Sequence, residues 1–540
     1  MRTVHERFIA SAAAAPSDDF VFVDAVTAQA YGIAPGAVAW GAAAAEVERL
    51  CAAYAAAGYG HGHRVGLLLE NRPAFLLHWF ALNGLGVSVV PIHADLRAAE
   101  LRYLIEHSEI VLAVSLPAHA GRLREAASAG RPPTTVWVAG DDTPPRAQLP
   151  ASRRGTPPSE DTECALLYTS GTTGRPKGCR LGNRYFLEAG RWYAALGHLA
   201  SVQPDAERVI TPLPLTHMNA MAFSTMVVLS AGGCLIQLDR FHPGSWWRSV
   251  RDSGATIVHY LGVMPALLLA AAPAPDDRAH AVRFGFGAGV DHRLHAPFEQ
   301  RFGFPLLEAW AMTETGAAAC VMAHREPRHV GTHCFGRPDA SMQWRLVDDA
   351  GADVAAGAPG ELWVRASGAD PRQGFFAGYL KDDAATEAAW AGGWFHTGDI
   401  ARADGDRNLY FVDRKKNVIR RSGENISAVE VESVLNQHPL VHASAVAATP
   451  DPMRGDEVLA CVVLRDPVRE AQRDDVARTL VEHTLSQLSY FKAPGWVAFV
   501  DALPLTPSQK IQRGELKAWA AQLPGQAHCI DTRALKRRSP

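Results

Sequence analysis

The sequence predicts an α/β protein with a large N-terminal domain of two doubly wound α/β subdomains plus a small β-barrel, followed by a small α+β domain. Three observations predict this class. Short β-branched runs alternate with helical patterns over the first 310 residues, a polar Pro-rich stretch interrupts them, and the pattern changes after residue 413. Strands alternating with helices are typical of βαβ units, which build a parallel sheet covered by helices.

The first subdomain is predicted from a regular series of elements. These are strands Arg64–Glu70, Val87–Ile92 and Ile110–Ser115, with helices Pro73–Leu82 and Arg97–His107. A polar stretch follows from Gly130 to Asp161, and its proline content predicts a surface connection between subdomains.

The alternation resumes in the second subdomain. Its candidate strands are Cys164–Thr169, Cys234–Leu238, Thr256–Tyr260, Val282–Gly287 and Pro305–Trp310. From Ser341 to Ala366, short strands with Gly/Pro turns indicate the small barrel. The last part has the size of an independent domain. Its predicted elements are helices Ser427–Asn436 and Asp474–Leu488 and strands Val441–Ala447 and Val458–Leu464.

Composition excludes several classes of function. The 540 residues hold 53 Lys+Arg and 56 Asp+Glu, a net charge of −3 that argues against nucleic acid as a partner. Mean hydropathy is −0.06, and no apolar run approaches the ~20 residues of a membrane span. The eight cysteines are scattered without a CxxC pair, so we expect a reducing, cytoplasmic location. Residues Ala12–Ala15 are interpreted as helix or loop rather than a secretory signal.

A loop that suits phosphate follows the candidate strand Cys164–Thr169. Residues 168–178 are YTSGTTGRPKG, in which glycines alternate with hydroxyl side chains before a lysine. Glycines let backbone N–H groups approach an anion, hydroxyls donate to phosphate oxygens, and lysine supplies charge. The segment is not a Walker A loop, because Pro176 precedes the lysine and Gly178 replaces the Ser/Thr. A flexible hairpin is the alternative, but the position directly after a strand favours a phosphate cradle.

This segment resembles the signature of the adenylate-forming superfamily, which comprises acyl-CoA synthetases, adenylation domains and luciferases. Four further motifs follow in the family's order, and they are WAMTETG (Trp310–Gly316), WFHTGD (Trp394–Asp399), VDRKKNVIRRSGENISAVEVE (Val412–Glu432) and PLTPSQKIQR (Pro504–Arg513). Residues Trp394–Val434 are most similar to carnitine/crotonobetaine-type acid–CoA ligases.

The resemblance implies an ATP-dependent acid–CoA ligase. A carboxylate attacks ATP to give acyl-AMP and pyrophosphate, and CoA then displaces AMP. Thr313 is expected to contact the α-phosphate, and Glu314 to hold Mg²⁺ through a hard carboxylate oxygen. The residues expected to cradle the β- and γ-phosphates are Thr169, Ser170, Gly171, Thr172, Thr173, Gly174 and Lys177.

The nucleoside contacts are also implied by the resemblance. Asp399 matches the acid that accepts from both ribose hydroxyls, and Arg414 matches a second ribose contact. The adenine slot is expected to be the backbone of Gly287, Ala288 and Gly289 with the ring of Trp310. Many relatives have Tyr where Trp310 stands, and a core tryptophan is the alternative interpretation.

The C-terminal domain is expected to supply mobile groups. Lys510 matches the catalytic lysine that bridges the acid and the α-phosphate, although Gln509 stands where the family usually has Gly. Lys416 falls at the family's hinge, and Gly423 is expected to give room for pantetheine. The domains implied are residues 1–414, which bind ATP and acid, and 415–540.

The acid pocket is expected to favour a short or compact acid. His217 matches a position near the carboxylate entrance, and many relatives have Gly where Ala311 adds a methyl group. The walls are assigned to His217, Met221, Val263, Ala311 and Met312, with Met218, His259 and Gly287 as further candidates. These candidates contain no acid to meet a quaternary ammonium.

Several alternatives stay open from sequence. The chain could load the pantetheine of a carrier protein, act as a luciferase-type oxidoreductase, or bind nucleotide as a non-enzymatic regulator. A homodimer is compatible with the sequence. His324, His329 and His333 are not expected to form a metal site, since their spacing does not fit one helix face.

Overall fold

The structure is a computed structural model, and it describes residues 1–128, 134–140, 143–153, 155–169, 175–348, 350–414, 419–422, 424–426, 428–466, 468–504, 511 and 513–536. The chain divides into two compact units. The first is Met1–Ala94, Leu104–Leu167 and Gly178–Val412, and the second is Asp95–Tyr103, Tyr168–Lys177 and Asp413–Pro540.

The α-helices in chain order are α1 Val4–Ala14, α2 Ala25–Tyr31, α3 Trp40–Ala56, α4 Pro73–Gly84, α5 Ala98–Ser108, α6 Pro117–Ala127, α7 Asn183–Ala194, α8 Thr225–Ala231, α9 Trp246–Asp252, α10 Val263–Ala270, α11 His292–Phe302, α12 Asp383–Ala389, α13 Ala428–Leu435, α14 Arg473–Gln487 and α15 Arg513–Gln522.

The strands are β1 Asp19–Val23, β2 Gly36–Ala39, β3 Arg64–Leu68, β4 Ser88–Pro91, β5 Leu112–Ser115, β6 Thr135–Val138, β7 Glu163–Thr169, β8 Lys177–Gly182, β9 Arg208–Thr211, β10 Cys234–Gln237, β11 Ile257–Leu261, β12 Phe284–Ala288, β13 Leu306–Trp310, β14 Val321–Met322, β15 Cys334–Gly336, β16 Met342–Val347, β17 Gly360–Ala366, β18 Phe395–Ala403, β19 Leu409–Arg414, β20 Ile419–Arg421, β21 Glu424–Ile426, β22 Val441–Asp451, β23 Gly455–Leu464, β24 Trp496–Phe499 and β25 Cys529–Asp531.

Local chemistry explains where several helices begin. The side chains of Thr3, Asp24 and Asp382 each accept a hydrogen bond from a backbone N–H in the first turn that follows. Pro73 and Pro117 open α4 and α6, where a missing N–H costs nothing. These caps fix the ends of helices that connect the strands.

The largest sheet has the order β14-β13-β12-β11-β9-β10-β1-β2. The strands from β13 to β1 run parallel, and antiparallel β14 and β2 form the edges. Its inner strands are almost completely buried, as expected of a parallel sheet covered on both faces. The predicted second subdomain is therefore confirmed.

The second sheet has the order β6-β5-β3-β4-β7-β8 and is parallel from β6 to β7. The stretch from Gly130 to Asp161 is more than the predicted surface connection. It contributes β6, whose sequence TVWV is rich in β-formers and pairs in parallel with β5. β6 therefore closes one edge of this sheet.

The region predicted as the small barrel forms part of a five-stranded antiparallel sheet with the order β15-β19-β18-β17-β16. β16 and β17 pair over their whole length, from Met342↔Ala366 to Val347↔Glu361. β18 follows β17 and carries the WFHTGD motif into this sheet. The sheet thus positions Asp399.

The second unit contains a mixed sheet with its own core. The order is β21-β20-β23-β24-β25, with β22 paired to β23. β22 and β23 extend past the predicted strands and meet in a tight turn, where Asp451 accepts from the backbone N–H of Met453 and of Arg454. The predicted α+β architecture is therefore confirmed.

The eight cysteines all lie in the described part of the chain, none of them forms a disulfide there, and seven of them are buried. Among the residues that the structure describes, no helix combines the length and apolar character that a membrane crossing needs.

Candidate active site

The largest sheet brings many predicted site residues to one edge. β9, β11, β12 and β13 are parallel neighbours, so their carboxyl ends lie on the same edge. Val263 follows β11, residues 287–289 close β12, and Trp310 closes β13 with Ala311 next. Ligands of open α/β sheets bind beyond this edge.

The segment predicted to form the adenine slot is bare backbone for steric reasons. A Cβ on Gly287 would collide with the carbonyl oxygen of Tyr260, and a Cβ on Gly262 would collide with the carbonyl oxygen of Gly289. Gly289 also has a φ of +81°, which L side chains rarely adopt. Close backbone packing therefore requires glycine at residues 262 and 287, and backbone conformation favours it at residue 289.

Glu308 fixes this segment and was not predicted from sequence. Its two carboxylate oxygens accept from the backbone N–H of Gly289 at 3.0 Å and of Val290 at 3.1 Å. The hydroxyl of Tyr260 donates to it at 3.2 Å. Burial raises the pKa of Glu308, while the amides of Val290 and Gly289 act in the opposite direction. An acid inside an apolar strand was the available signal.

The predicted adenine and ribose residues contact each other. The Nε1–H of Trp310 donates to Oδ2 of Asp399 at 2.9 Å. The two residues are only 7% and 2% exposed. Trp310 is thus buried, as the core alternative expects, and its N–H also orients the carboxylate predicted to bind ribose.

A tight turn after β13 presents Thr313 and buries Glu314. The N–H of Met312 donates to Oγ1 of Thr315 at 3.0 Å, and the N–H of Gly316 donates back to the Met312 carbonyl. Gly316 has a φ of +52°, and a Cβ there would collide with a tyrosine ring. Thr313 is half-buried and Glu314 is buried, so the adjacent residues of the motif differ in access to solvent.

Glu314 has a fixed orientation that suits a cation ligand. The hydroxyl of Tyr379 donates to Oε1 of Glu314 at 2.9 Å. The backbone of Tyr379 in turn pairs in an antiparallel β-bridge with that of Cys179 in β8, the strand that begins at Lys177. Burial and the charge of Glu314 raise the pKa of Tyr379, so the phenol stays a donor. A hard, oriented carboxylate fits Mg²⁺ that is shared with phosphates. Sequence spacing alone gave no signal for Tyr379.

The two described ends of the predicted phosphate loop belong to neighbouring strands. Thr169 ends β7 and Lys177 begins β8, its neighbour in the sheet. The hydroxyl of Tyr103 donates to the Pro176 carbonyl at 2.8 Å, and the Arg175 guanidinium lies 5.3 Å from the Tyr103 ring. The predicted cradle residues that lie outside the described residues are Ser170, Gly171, Thr172, Thr173 and Gly174.

The predicted acid-pocket residues follow the same sheet edge. His217 comes six residues after β9, and its ring centroid lies 6.5 Å from that of His93. Met221 lies in a π-helical turn, Asn219–Ser224, and is buried. Val263 begins α10, and Ala311 and Met312 follow β13.

Three residues predicted to act from the C-terminal domain, Lys416, Gly423 and Lys510, lie outside the described residues. Arg414 ends β19, and only its backbone is described. Their roles stay predictions.

The three histidines set aside as a metal site have separate partners. Nδ1 of His324 contacts the Gly197 carbonyl at 2.9 Å, and Nε2 of His329 contacts Asn408 at 3.3 Å. His333 packs against the ring of His292. Across the described part of the chain, no group of three or more His, Cys, Asp or Glu is arranged to hold a metal ion.

The chain is similar in sequence to known enzymes of one family. Residues 10–380 match the AMP-binding enzyme family, and residues 430–510 match the AMP-binding enzyme C-terminal domain. The chain is 33% identical to a sulfoacetate–CoA ligase of Cupriavidus necator, covering 89% of this chain and 92% of the relative. It is 29% identical to a crotonobetaine/carnitine–CoA ligase of Salmonella heidelberg, covering 87% and 91%.

A solved structure shares the fold. A double mutant of o-succinylbenzoate CoA synthetase from Bacillus subtilis superimposes with a TM-score of 0.79 at 23% identity, covering 95% of this chain and 98% of that one. The chain therefore belongs to the AMP-binding enzyme family.

Proposed function

We propose that this enzyme is an ATP-dependent acid–CoA ligase that works through an acyl-adenylate and activates a short, compact carboxylic acid at the carboxyl edge of β9, β11, β12 and β13. The observation that carries the proposal is that a hydrogen-bond donor orients each of two carboxylates, one bound to the last residue of β13 and one in the turn that follows it. Asp399 is held by Trp310, and Glu314 is held by Tyr379. The neighbouring strand β12 ends with Gly287 and Ala288, and Gly289 follows it.

In the first step the acid's carboxylate attacks the α-phosphorus of ATP, and pyrophosphate leaves. Negative charge gathers on phosphate oxygens, so N–H and O–H donors and cations aimed there lower the barrier. Thr313 donates to the α-phosphate, while Lys177 and the residues from Thr169 to Gly174 bind the leaving pyrophosphate. Lys510 aligns the acid with the α-phosphate.

The nucleoside is held by the residues around Trp310. The indole covers one face of adenine, and the 287–289 backbone bounds the slot. Asp399 accepts from both ribose hydroxyls, with Arg414 as a second contact. Because Asp399 is already fixed by Trp310, little conformational entropy is lost when ribose binds.

Mg²⁺ is assigned to Glu314. Bound there, the cation would neutralise charge on the phosphates of ATP. Tyr379 keeps the carboxylate facing one direction and excludes other rotamers.

In the second step the CoA sulfur attacks the acyl carbonyl, and AMP leaves with the bonding electron pair. We assign Lys416 as the hinge about which residues 415–540 turn between the steps. Gly423 then gives pantetheine room to reach the carbonyl. No group on the protein becomes acylated in this scheme.

The preference for a compact acid rests on side-chain volume. Ala311 and Met312 pack against the core of the first unit, and this core includes the buried Met221. A methyl group at residue 311 narrows the slot, and one methylene discriminates by about 1–3 kcal/mol. The name of the relative from Cupriavidus necator, sulfoacetate–CoA ligase, describes an acid of this size.

We also propose a cytoplasmic location, because eight cysteines without a disulfide among the described residues are compatible with a reducing compartment. A homodimer stays a prediction, to be checked by light scattering.

The test is pyrophosphate release by the purified chain with a panel of acids, with and without CoA. We expect release with short acids and thioester formation with free CoA. Glu314→Gln should lower kcat/KM by about 100-fold, since it removes a charge that acts on the phosphates.

The matched control is Glu326→Gln, which changes an exposed acid whose side chain is 63% accessible. Its activity should stay within about twofold of wild type. Failure of every acid to release pyrophosphate would refute the proposal. Transfer to a carrier protein but not to free CoA would assign the other acceptor.

A further inference from the structure

A buried relay of hydrogen bonds ends at Asn219, which lies in the same π-helical turn as Met221, a predicted wall residue of the acid pocket. Nε2 of His259 is 3.0 Å from the hydroxyl of Tyr193. Its Nδ1 is 2.7 Å from Oγ of Ser224 and 3.0 Å from Oδ1 of Asn219. Tyr193, Ser224 and His259 are all 0% exposed, whereas Asn219 is half-buried.

The relay determines which nitrogen of His259 carries hydrogen. Burial lowers the pKa of His259 to about 3, so the ring is neutral and has one N–H. Nε2 of His259 is the only hydrogen-bond partner that the described residues give to the Tyr193 hydroxyl. A buried hydroxyl without an acceptor is costly, so Tyr193 donates to Nε2, and the hydrogen of His259 sits on Nδ1.

This assignment fixes the amide of Asn219. The Nδ1–H of His259 donates to Oδ1 of Asn219 and to Oγ of Ser224, while Ser224 donates to the Asn219 carbonyl at 3.3 Å. The oxygen of the Asn219 amide is therefore turned toward the buried histidine. The Nδ2 group of Asn219 has no hydrogen bond to any described residue. It is also absent from the buried polar atoms that lack a partner, so it can donate to a ligand.

The position of Asn219 relates it to the acid. It opens the π-helical turn Asn219–Ser224, two residues after His217. Such turns occur frequently at functional sites. His259 pairs with Phe286, one residue before the pair Tyr260↔Gly287. Asn219 is thus held by a histidine that pairs one position before the predicted adenine slot, and it shares a turn with Met221, a predicted wall residue of the acid pocket.

We infer that Asn219 determines specificity by donating Nδ2–H to an oxygen at the far end of the acid. The inference rests on the proposed function and names its substrate class. The class is a short acid with a second oxygen-bearing group, such as a sulfonate or a second carboxylate. An acid that ends in trimethylammonium is disfavoured, because the relay offers it a donor and no negative charge.

Three acids of nearly equal size test the inference, and they are sulfoacetate, 3,3-dimethylbutyrate and glycine betaine. Wild type should show the highest kcat/KM for pyrophosphate release with sulfoacetate, by at least about tenfold over 3,3-dimethylbutyrate, with betaine lowest. Asn219→Ala should reduce the preference for sulfoacetate over 3,3-dimethylbutyrate by about 10- to 100-fold.

Two further variants separate specificity from packing. Asn219→Asp keeps the acceptor for His259 and replaces the donor with a charge, so the sulfoacetate-to-betaine ratio should fall by about 100-fold or more. Ser224→Ala leaves the bond from His259 to Asn219 in place, and the ratios should stay within about twofold.

The outcomes are distinguishable. Two results would overturn the inference and leave the ligase function standing. One is an equal loss of kcat/KM on all three acids in Asn219→Ala, and the other is a wild-type preference for 3,3-dimethylbutyrate or betaine over sulfoacetate. Activation of unrelated acids but none of these three would do the same. Absence of pyrophosphate release with every acid in a broad panel would overturn the proposed function, and the inference with it.

Discussion

At the residue scale, Glu308 shows how a site can depend on a group that touches no substrate. Each of its oxygens accepts a different backbone N–H from the 289–290 segment. Glu308→Gln replaces one oxygen with an NH₂ group that faces an N–H donor, so one contact becomes repulsive. We expect KM for ATP to rise about tenfold, the equivalent of ~1.4 kcal/mol, with a smaller change in kcat.

Tyr260→Phe is the matched control for this variant. It removes only the phenol contact to Glu308 and leaves both amide contacts. Its KM for ATP should rise less than that of Glu308→Gln in steady-state assays at saturating acid. If both variants lose thermal stability while KM for ATP stays constant, Glu308 supports the strand and not the nucleotide slot.

Residue identities in the site were only partly predictable from sequence. Motif order predicted Trp310, Asp399 and Glu314, because each has a role tied to a fixed place in a motif. It did not predict that Trp310 binds Asp399 or that Tyr379 binds Glu314. These partners are 89 and 65 residues apart, and only the folded sheets bring them together.

At the element scale, the second unit contains a buried cluster of two cations and one carboxylate. Lys536 and Arg421 both donate to Glu457, and all three side chains are at most 6% exposed. Burial lowers the pKa of Lys536 to about 7, with repulsion from Arg421 adding to this and attraction to Glu457 opposing it. Burial would raise the pKa of Glu457, but Lys536 and Arg421 lower it.

The lowered pKa of Lys536 predicts that the stability of the folded chain rises with pH. An unfolded lysine has a pKa of about 10.4, so between pH 7 and 10 the unfolded chain binds more protons at residue 536 than the folded chain. The contribution of Lys536 to stability is therefore poorest below pH 7 and improves as the pH rises. Lys536→Met should remove this dependence, so Tm of wild type relative to the variant should increase from pH 7 to 9.

Lys517→Met is the control, since Lys517 is an exposed residue of α15. Its Tm should run parallel to that of wild type over the same range. Parallel curves for Lys536→Met as well would contradict the buried, depressed lysine. The measurement is differential scanning fluorimetry in buffers of constant ionic strength.

Elements with a local signal were predictable, and elements defined by distant partners were not. The inner strands β3, β11 and β13 stand out as apolar runs, because a parallel sheet buries both of their faces. β1 was not predicted, although its sequence DFVFV is an apolar run too, because its place in the sheet depends on pairing with β10, as in Val21↔Leu235. β6 lay hidden in a polar connection for the same reason.

At the scale of the whole molecule, the two half-reactions make different demands on the C-terminal domain. The resemblance assigns Lys510 to adenylation and Gly423 to thioester formation, with Lys416 as the hinge between the two poses. A hinge must absorb a large change in φ and ψ, whereas proline fixes φ near −65° and removes an N–H. Lys416→Pro is therefore expected to slow thioester formation by about 100-fold and adenylation by only a few-fold.

Separate assays of the two steps check this expectation. Exchange of labelled pyrophosphate into ATP reports adenylation, and AMP release from preformed acyl-AMP on addition of CoA reports thioester formation. Lys416→Ala keeps the backbone freedom of residue 416 and loses only the charged side chain, so both rates should stay within about threefold of wild type. A proline variant that slows both steps equally would remove support for the hinge. A proline variant that slows neither step would place the hinge at another residue, because only a position that changes φ between the poses is sensitive to proline.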